Sequence, residues 1–281
     1  MAYPSNSNTN INNELYSNLV TAAQFAAYEN SVARQMMTLF DAPANSGKVL
    51  QVPVWSAITA ENISDEAAAT AKETNTTSAT ITLTEHVVYH QITDMLKNSA
   101  VNDVMAQLGD QSGRAIAESM DTEAFTTFNS LTSAGGTVTA ANFGTDDIFN
   151  AVGQLRAAKL TGPFYAVVHP TAAKELKKSL TATTAYTANT NVGNQILSNF
   201  YIGQIAGCTV IESALVPIDG SNVASCAVFS PSAIGHAMRG AVTAEEQRQA
   251  ASRATDLVLT GVAGAAVLQA GHGRLVTVDI S

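Results

Sequence analysis

The chain has 281 residues, enough to bury one large core or two intertwined ones. Hydrophobic residues make up 46% and charged residues only 13%. Such a chain folds, but it cannot solvate its whole surface with charge, so Ser, Thr and Asn or other protein copies must cover the rest. Fourteen Lys and Arg against 23 Asp and Glu leave a net charge of −9, which excludes a protein whose affinity comes from counterion release at a phosphate backbone.

The first ten residues, MAYPSNSNTN, have neither the basic nor the apolar region of a signal peptide. No apolar run approaches the length of a membrane span. The expectation is a soluble protein of a reducing compartment, with Cys208 and Cys226 as buried free thiols in strand-like settings.

Residues 1–20 read as a polar, Asn-rich arm without periodicity. From Thr21 a helical pattern places Tyr28, Val32, Met36 and Phe40 on one face, and Asp41-Ala-Pro-Ala-Asn-Ser-Gly breaks it. Val49–Ser56 reads as a strand with an edge-type Pro53, and Ser78–Gln91 as a second, alternating Ile81 and Leu83 against Thr80, Thr82 and Thr84, then Val87 and Tyr89. The Ala-, Thr- and acid-rich connection between them is too long for a compact domain unless it has its own function. A projecting hairpin of this kind needs another surface beneath it.

Asn98–Leu131 carries the strongest helical pattern, with Val101, Val104, Met105, Leu108, Ile116, Met120, Ala124, Phe128 and Leu131 on one side. Ser99 is the expected N-cap and Asp103 a first-turn acid. Asp110, Arg114 and Glu118 provide i,i+4 pairs on the other side. One continuous helix of that length would span about 50 Å. Gly109 and Gly113 cost about 1 kcal/mol each there unless they permit close packing.

After Gly135-Gly136 the texture becomes α/β. A helix from Thr145 to Lys159 with Thr145 as cap, a strand Phe164–His169, and a helix Thr171–Ser179 are expected, followed by a polar loop over 180–195. Lys174, Lys177 and Lys178 read as a solvated helix face. Strands follow at Cys208–Ile211, Ala224–Phe229, Leu257–Thr260, Ala265–Leu268 and Leu275–Ile280.

No motif assembles a nucleophile, a base and an electrophilic hole. His86 and His90 are the nearest approach to a metal pair, but they alternate along a strand and lack the HExxH glutamate, so they read as two polar residues on one half-exposed strand face. ANSGK (44–48) lacks the leading glycine and the hydroxyl of a phosphate loop. Gly271-His272-Gly273 reads as a turn. There is no G-x-S-x-G elbow, and neither Cys has an adjacent His. The sequence therefore points to no catalysis, no cofactor and no metal.

Three segments carry a resemblance: LGDQSGRAIAESMDTEAF (108–125), IGQIAGCTVIESALVP (202–217) and ATDLVLTGVAGAAVLQ (254–269). In their order, with the arm and hairpin before them, they resemble the major capsid proteins of tailed bacteriophages, whose fold also forms the herpesvirus capsid floor. The first resembles that family's spine helix, with Asp121 at its recurrent acid. The second resembles its axial-domain strand and glycine turns, and the third its returning hairpin.

The resemblance implies an α+β fold: an N-terminal arm (1–40), a peripheral domain (41–139 and 241–281) with a hairpin arm at about 49–91 and a spine helix at about 98–133, and an axial domain (140–240). It implies a structural subunit that self-assembles as pentamers and hexamers into an icosahedral shell around double-stranded DNA in the host cytoplasm. A separate scaffolding protein and a portal would serve as partners. Trp55, Ile58, Ile63, Lys72, Tyr28 and Phe40 are the candidate contacts between subunits. Some relatives join a hairpin Lys covalently to a neighbour's Asn beside a buried acid; here the long loop offers only Lys72. The alternative is a bacterial encapsulin-type nanocompartment shell of the same fold.

Overall fold

The computed structural model describes residues 23, 24, 26, 31–43, 47–65, 68–99, 104–182 and 203–281. Two sheets and one long helix organise them. A five-stranded sheet holds β1 (Thr38–Asp41), β4 (Thr84–Thr93), β11 (Ile234–Met238), β12 (Thr243–Gln249) and β13 (Ala254–Val267). β13 is its axis: its first seven residues lie between β12 and β4, and its end pairs with β11, which carries β1 in parallel. A seven-stranded sheet runs in the order β5 (Thr132–Ser133), β14 (Gly273–Asp279), β10 (Val223–Phe229), β7 (Phe164–Val168), β9 (Cys208–Glu212) and β8 (Gln204–Ile205), with β6 (Val138–Thr139) also on β14. β2 (Val49–Trp55) and β3 (Thr76–Thr82) form a separate two-stranded ribbon.

Among the described residues the helices that accompany these strands include α1 (Ala33–Met36), α2 (Asp94–Ser99), α3 (Val104–Thr126), α4 (Thr145–Ala157) and α5 (Pro170–Ala182). The helix expected over 98–131 differs at both ends. Ser99 lies within α2, which already starts at Asp94, so it is not an N-cap; residues 100–103, Asp103 among them, lie outside the described residues, and Thr127–Ser130 tightens into a 3-10 turn. The cap is made earlier, where Thr93 Oγ1 accepts the amide of Leu96 at 3.3 Å. At 1.5 Å per residue α3 still spans about 35 Å, and its apolar stripe crosses both cores. Ile116 and Met120 pack with Ile92, Leu257 and Leu259 beneath the five-stranded sheet. Ala124, Phe125, Phe128 and Leu131 join the core of the seven-stranded sheet, where Phe128 lies 5.2 Å from Phe125 and 5.5 Å from Phe229. Asp110 and Arg114 pair across one exposed turn at 3.0 Å.

Several local expectations are corrected. Phe40 belongs to strand β1, not to a helix continuing from Tyr28, which lies outside the described residues. The helix at Thr145 is capped by the Asp147 carboxylate, which accepts the Gly144 amide at 2.9 Å. The two strands expected at 257–260 and 265–268 are one strand, β13, running through Gly261 and Gly264. Strands β1, β11 and β12 were not expected; β12 reads TAEEQRQ and is a polar edge strand without an alternating apolar face. Lys177 is buried against Glu212 at 2.7 Å, whereas Lys174 and Lys178 remain exposed beside Glu175. Cys208 and Cys226 are buried free thiols, and burial pushes them up to about 12 and about 11.

Gly113 is where the chain preceding α1 meets α3. A Cβ there would run into the Ala23 carbonyl and lie 2.9 Å from Ala26 Cβ, while Gln24 Nε2 donates to Val242 O at 2.8 Å and ties the same stretch to the sheet. Close packing therefore outweighs the helix cost of glycine. Gly113→Ala should lower the melting temperature rather than raise it, against the gain of up to about 1 kcal/mol expected in an open helix. Gly113→Leu should lower it further, by overpacking of about 1–3 kcal/mol or more. Thermal melts of both variants check this, and a stabilised Ala variant would contradict the packing.

Candidate functional site

The ribbon of β2 and β3 projects from a small core. Its register runs from Val49 opposite Thr82 to Trp55 opposite Thr76. At its root Ile81 and Leu83 are buried with Ala42 and Ala237, and Phe40, Leu50 and Val52 pack around them. Beyond the root the side chains lose cover. Trp55 is 66% exposed, Ile58 60% and Ile63 43%. The connection from 56 to 75 is held mainly by local polar contacts: Ser56 and Asn75 bond across its base, and Lys72 Nζ donates to Thr59 O at 2.8 Å and faces Glu61 at 3.8 Å. Of the six candidate contacts, Trp55, Ile58, Ile63 and Lys72 thus share this arm, Phe40 is half-buried at its root, and Tyr28 is not described.

The strand expected over 78–91 is divided. Leu83 is buried and donates its amide to Lys48 O at 2.8 Å, and on either side of it the chain serves different partners. β3 pairs with β2 in the arm, and β4 pairs with β13 in the body. The side-chain phase changes at the same point. Before it Ile81 and Leu83 face inward; after it Val88 and Ile92 do, with His86 and His90, while Val87 and Tyr89 are exposed. Alternation alone put Val87 and Tyr89 inside because the phase break is invisible to a period-2 pattern.

The two histidines share a face as expected, but that face meets α3. His90 Nε2 contacts Ser112 Oγ at 2.8 Å, and His86 Nδ1 contacts Ser119 Oγ at 2.7 Å. Four residues of strand and seven of helix cover comparable lengths, about 13 and 10 Å, so the two pairs form a polar seam fixing β4 along the helix. His86 Nε2 also faces Glu123 Oε2 at 2.9 Å, and Thr84 Oγ1 donates to the same oxygen. Burial alone would raise the Glu123 carboxyl, but the bonds from His86 and Thr84 outweigh it and hold the group below the ordinary range.

Chemically, Ser119, His86 and Glu123 stand in the order of a nucleophile, a base and an orienting acid. Ser119 lies inside α3, where backbone N–H groups are committed to carbonyls one turn back, so no backbone pair is free to stabilise an oxyanion. The arrangement fastens strand to helix. Among the described residues no three metal-ligating side chains cluster, and no helix is long and apolar enough to cross a membrane.

On the same helix Asp121, 1% exposed, receives the chain that leads into α1. Its carboxylate accepts from Ser31 Oγ at 2.7 Å, the Val32 amide at 2.7 Å and the Ala33 amide at 3.4 Å. An acid among apolar core residues needs partners, and here they are the free N–H groups at the start of α1. Burial pushes its pKa up despite these three bonds. The sequence marks Asp121 only as an acid on the inner face of a helix; its partners lie some ninety residues away.

These elements have counterparts in known proteins. Nothing among curated proteins matches the chain. Among solved structures, one of Mycobacterium phage Che8 superposes with a TM-score of 0.67 at 18% identity, over 84% of this chain and 86% of that one. The mature capsid of bacteriophage PhiM1 gives 0.68 at 15%, over 89% and 87%. A virus-like particle from Pyrococcus furiosus gives 0.61 at 12%, over 93% and 98%. At these identities the likeness establishes the fold, an α+β arrangement of the tailed-phage major capsid type. The sequence itself matches the family model described as phage capsid protein over residues 76–273, from the start of β3 to the start of β14, and the chain belongs to that family.

Proposed function

We propose that this shell-forming capsid protein self-assembles as pentamers and hexamers into an icosahedral shell around double-stranded DNA, without reading its sequence. Assembly would take place in the host cytoplasm with a separate scaffolding protein and a portal. The observation that carries the reading is the exposed arm: a two-stranded ribbon with Trp55, Ile58 and Ile63 uncovered is marginal in isolation and calls for a neighbouring surface. The five-stranded sheet with α3 then makes a peripheral unit, and the seven-stranded sheet with α4 and α5 an axial one. On this reading the last strand, β14, is grouped with the axial unit, a choice supported by its pairing with β10. The role is structural, in keeping with a seam in which Ser119 has no electrophilic partner site. Negative-stain imaging of the purified protein tests this: uniform closed shells are expected, and a monodisperse monomer that never assembles would overturn it.

Likeness to the Pyrococcus furiosus particle keeps a second shell reading in view. Nuclease-protected DNA inside native particles favours the phage shell, and its absence favours a nanocompartment.

Covalent crosslinking is not expected. Lys72, the one lysine of the arm's loop, is engaged with Thr59 and Glu61 inside its own loop, and the buried acid Asp121 is committed to the chain before α1. Boiled particles on a denaturing gel should give one band near 29.2 kDa; a ladder of oligomers would show a crosslink.

A further inference from the structure

Among the described residues of the five-stranded sheet, His236 is a buried polar side chain without a polar partner. It is 2% exposed, and neither ring nitrogen has a hydrogen-bond partner among the described residues. It sits on β11 opposite Leu39 of β1 and Ala265 of β13, and lines a cavity of about 440 Å³ with Arg34, Phe40, Asp41 and Met238. The cavity lies under the segment that enters the body from the N-terminal side: α1 contributes Arg34 and β1 contributes Phe40 and Asp41.

The charged groups around the ring come from four elements. Arg34 on α1 and His86 on β4 disfavour a second positive charge, and Glu123 on α3 favours one. Asp41 on β1 lines the cavity from its exposed side. Glu123 is already held by His86 and Thr84. A protonated His236 would therefore meet desolvation first and Arg34 second, and could recruit Glu123 only by taking it from the β4 seam.

We propose that His236 makes this junction an acid-sensitive joint, at which proton uptake loosens the seat of residues 31–41 on β11 and α3 while the rest of the subunit stays folded. The role belongs to the single subunit and does not depend on what the shell encloses. Burial, followed by Arg34, pushes the His236 pKa down from the ordinary 6.5 to about 4. A group whose folded pKa is depressed contributes stability that is present above its unfolded value and is lost as pH falls through the folded one. For His236 the window is therefore between pH 6.5 and about 4. Asp121 acts in the opposite sense, because its raised pKa makes its buried form less costly in acid, while the lowered Glu123 adds its own loss on acidification. Asp121 is common to wild type and to a His236 variant, and Glu123 is lowered chiefly by His86 and Thr84 with His236 its last contributor, so the difference between the two reports His236 together with its coupling to Glu123.

Hydrogen exchange, corrected for intrinsic rates, reads the joint directly on the full chain. Peptides covering residues 31–42 should lose at least tenfold in protection between pH 6.5 and 4 in wild type, ahead of peptides from β10 and β14. In His236→Leu, which fills the site without a titrating group, that local loss should disappear. Protection independent of pH, or an identical loss in the Leu variant, would overturn the proposal. Should the variant fail to fold, histidine ring resonances of the wild-type subunit decide the matter. One ring remaining neutral until about pH 4 is expected, as given by its buried site, and titration of all the rings near the ordinary value would sink the joint.

Discussion

Replacing residues 57–75 with a short Gly-Ser linker should leave a folded, soluble subunit that no longer forms stable closed particles. The segment removes no member of any buried cluster, because its large apolar side chains, Ile58 and Ile63, are themselves exposed. The root of the arm, with Ile81, Leu83, Leu50 and Val52, stays in place. Loop shortening changes closure entropy only slowly with length, so the melting temperature should move by a few degrees at most. In the proposed shell the same segment would lie across a neighbour in every subunit, and many weak contacts repeated in this way add up steeply. Circular dichroism and electron microscopy separate the two effects. Normal shells from the variant would contradict the assembly role of the arm, and an unfolded chain would show that the loop belongs to the core.

Asp121→Ala should be among the most damaging single substitutions outside the large apolar core. It strands the Val32 and Ala33 amides and the Ser31 hydroxyl without their acceptor in a closed site. Each unsatisfied buried group costs about 1–3 kcal/mol, so a loss of roughly 2–5 kcal/mol is expected. Asp121→Asn keeps the shape but turns an N–H₂ toward donors, and should fall between Ala and wild type.

The pH profile carries the sign. With a folded pKa raised by burial, Asp121 contributes most below its unfolded value and loses that contribution as pH rises through the folded one. The deficit of the Ala variant against wild type should accordingly be larger in acid than at neutral pH. Chemical denaturation at several pH values measures it, and a deficit that shrinks on acidification would show that the carboxylate, not the acid, is the favoured buried form.

Much of this could be read from the chain. The apolar stripe that runs from Ile116 on α3 to Leu131 just past its end follows from 3–4 spacing, because a helix of this length must bury one face whatever covers it. The same holds for β7 and β10, whose apolar runs are long enough to require burial on both faces. The arm was legible as two strands with too long a connection between them, and its composition left it no core of its own. Net charge, the polar start and the lack of catalytic motifs belong to the same level, since they depend on which residues are present and not on where they lie.

Other features were decided only by the tertiary structure, because their partners are distant in sequence. The phase break at Leu83 exists because one stretch of chain must pair with β2 on one side and with β13 on the other. The inward turn of His86 and His90 is possible only because Ser112, Ser119 and Glu123 wait on the facing helix. β12 is a strand although its residues are polar, since an edge needs a neighbour's backbone more than an apolar face. Gly113 looked like a weak point in a helix until the Ala23 and Ala26 backbone and side chain were set against it. Composition and periodicity determine which surfaces must be buried; contacts between elements distant in sequence determine what buries them, and through that whether a buried Asp121 or His236 is supported or strained.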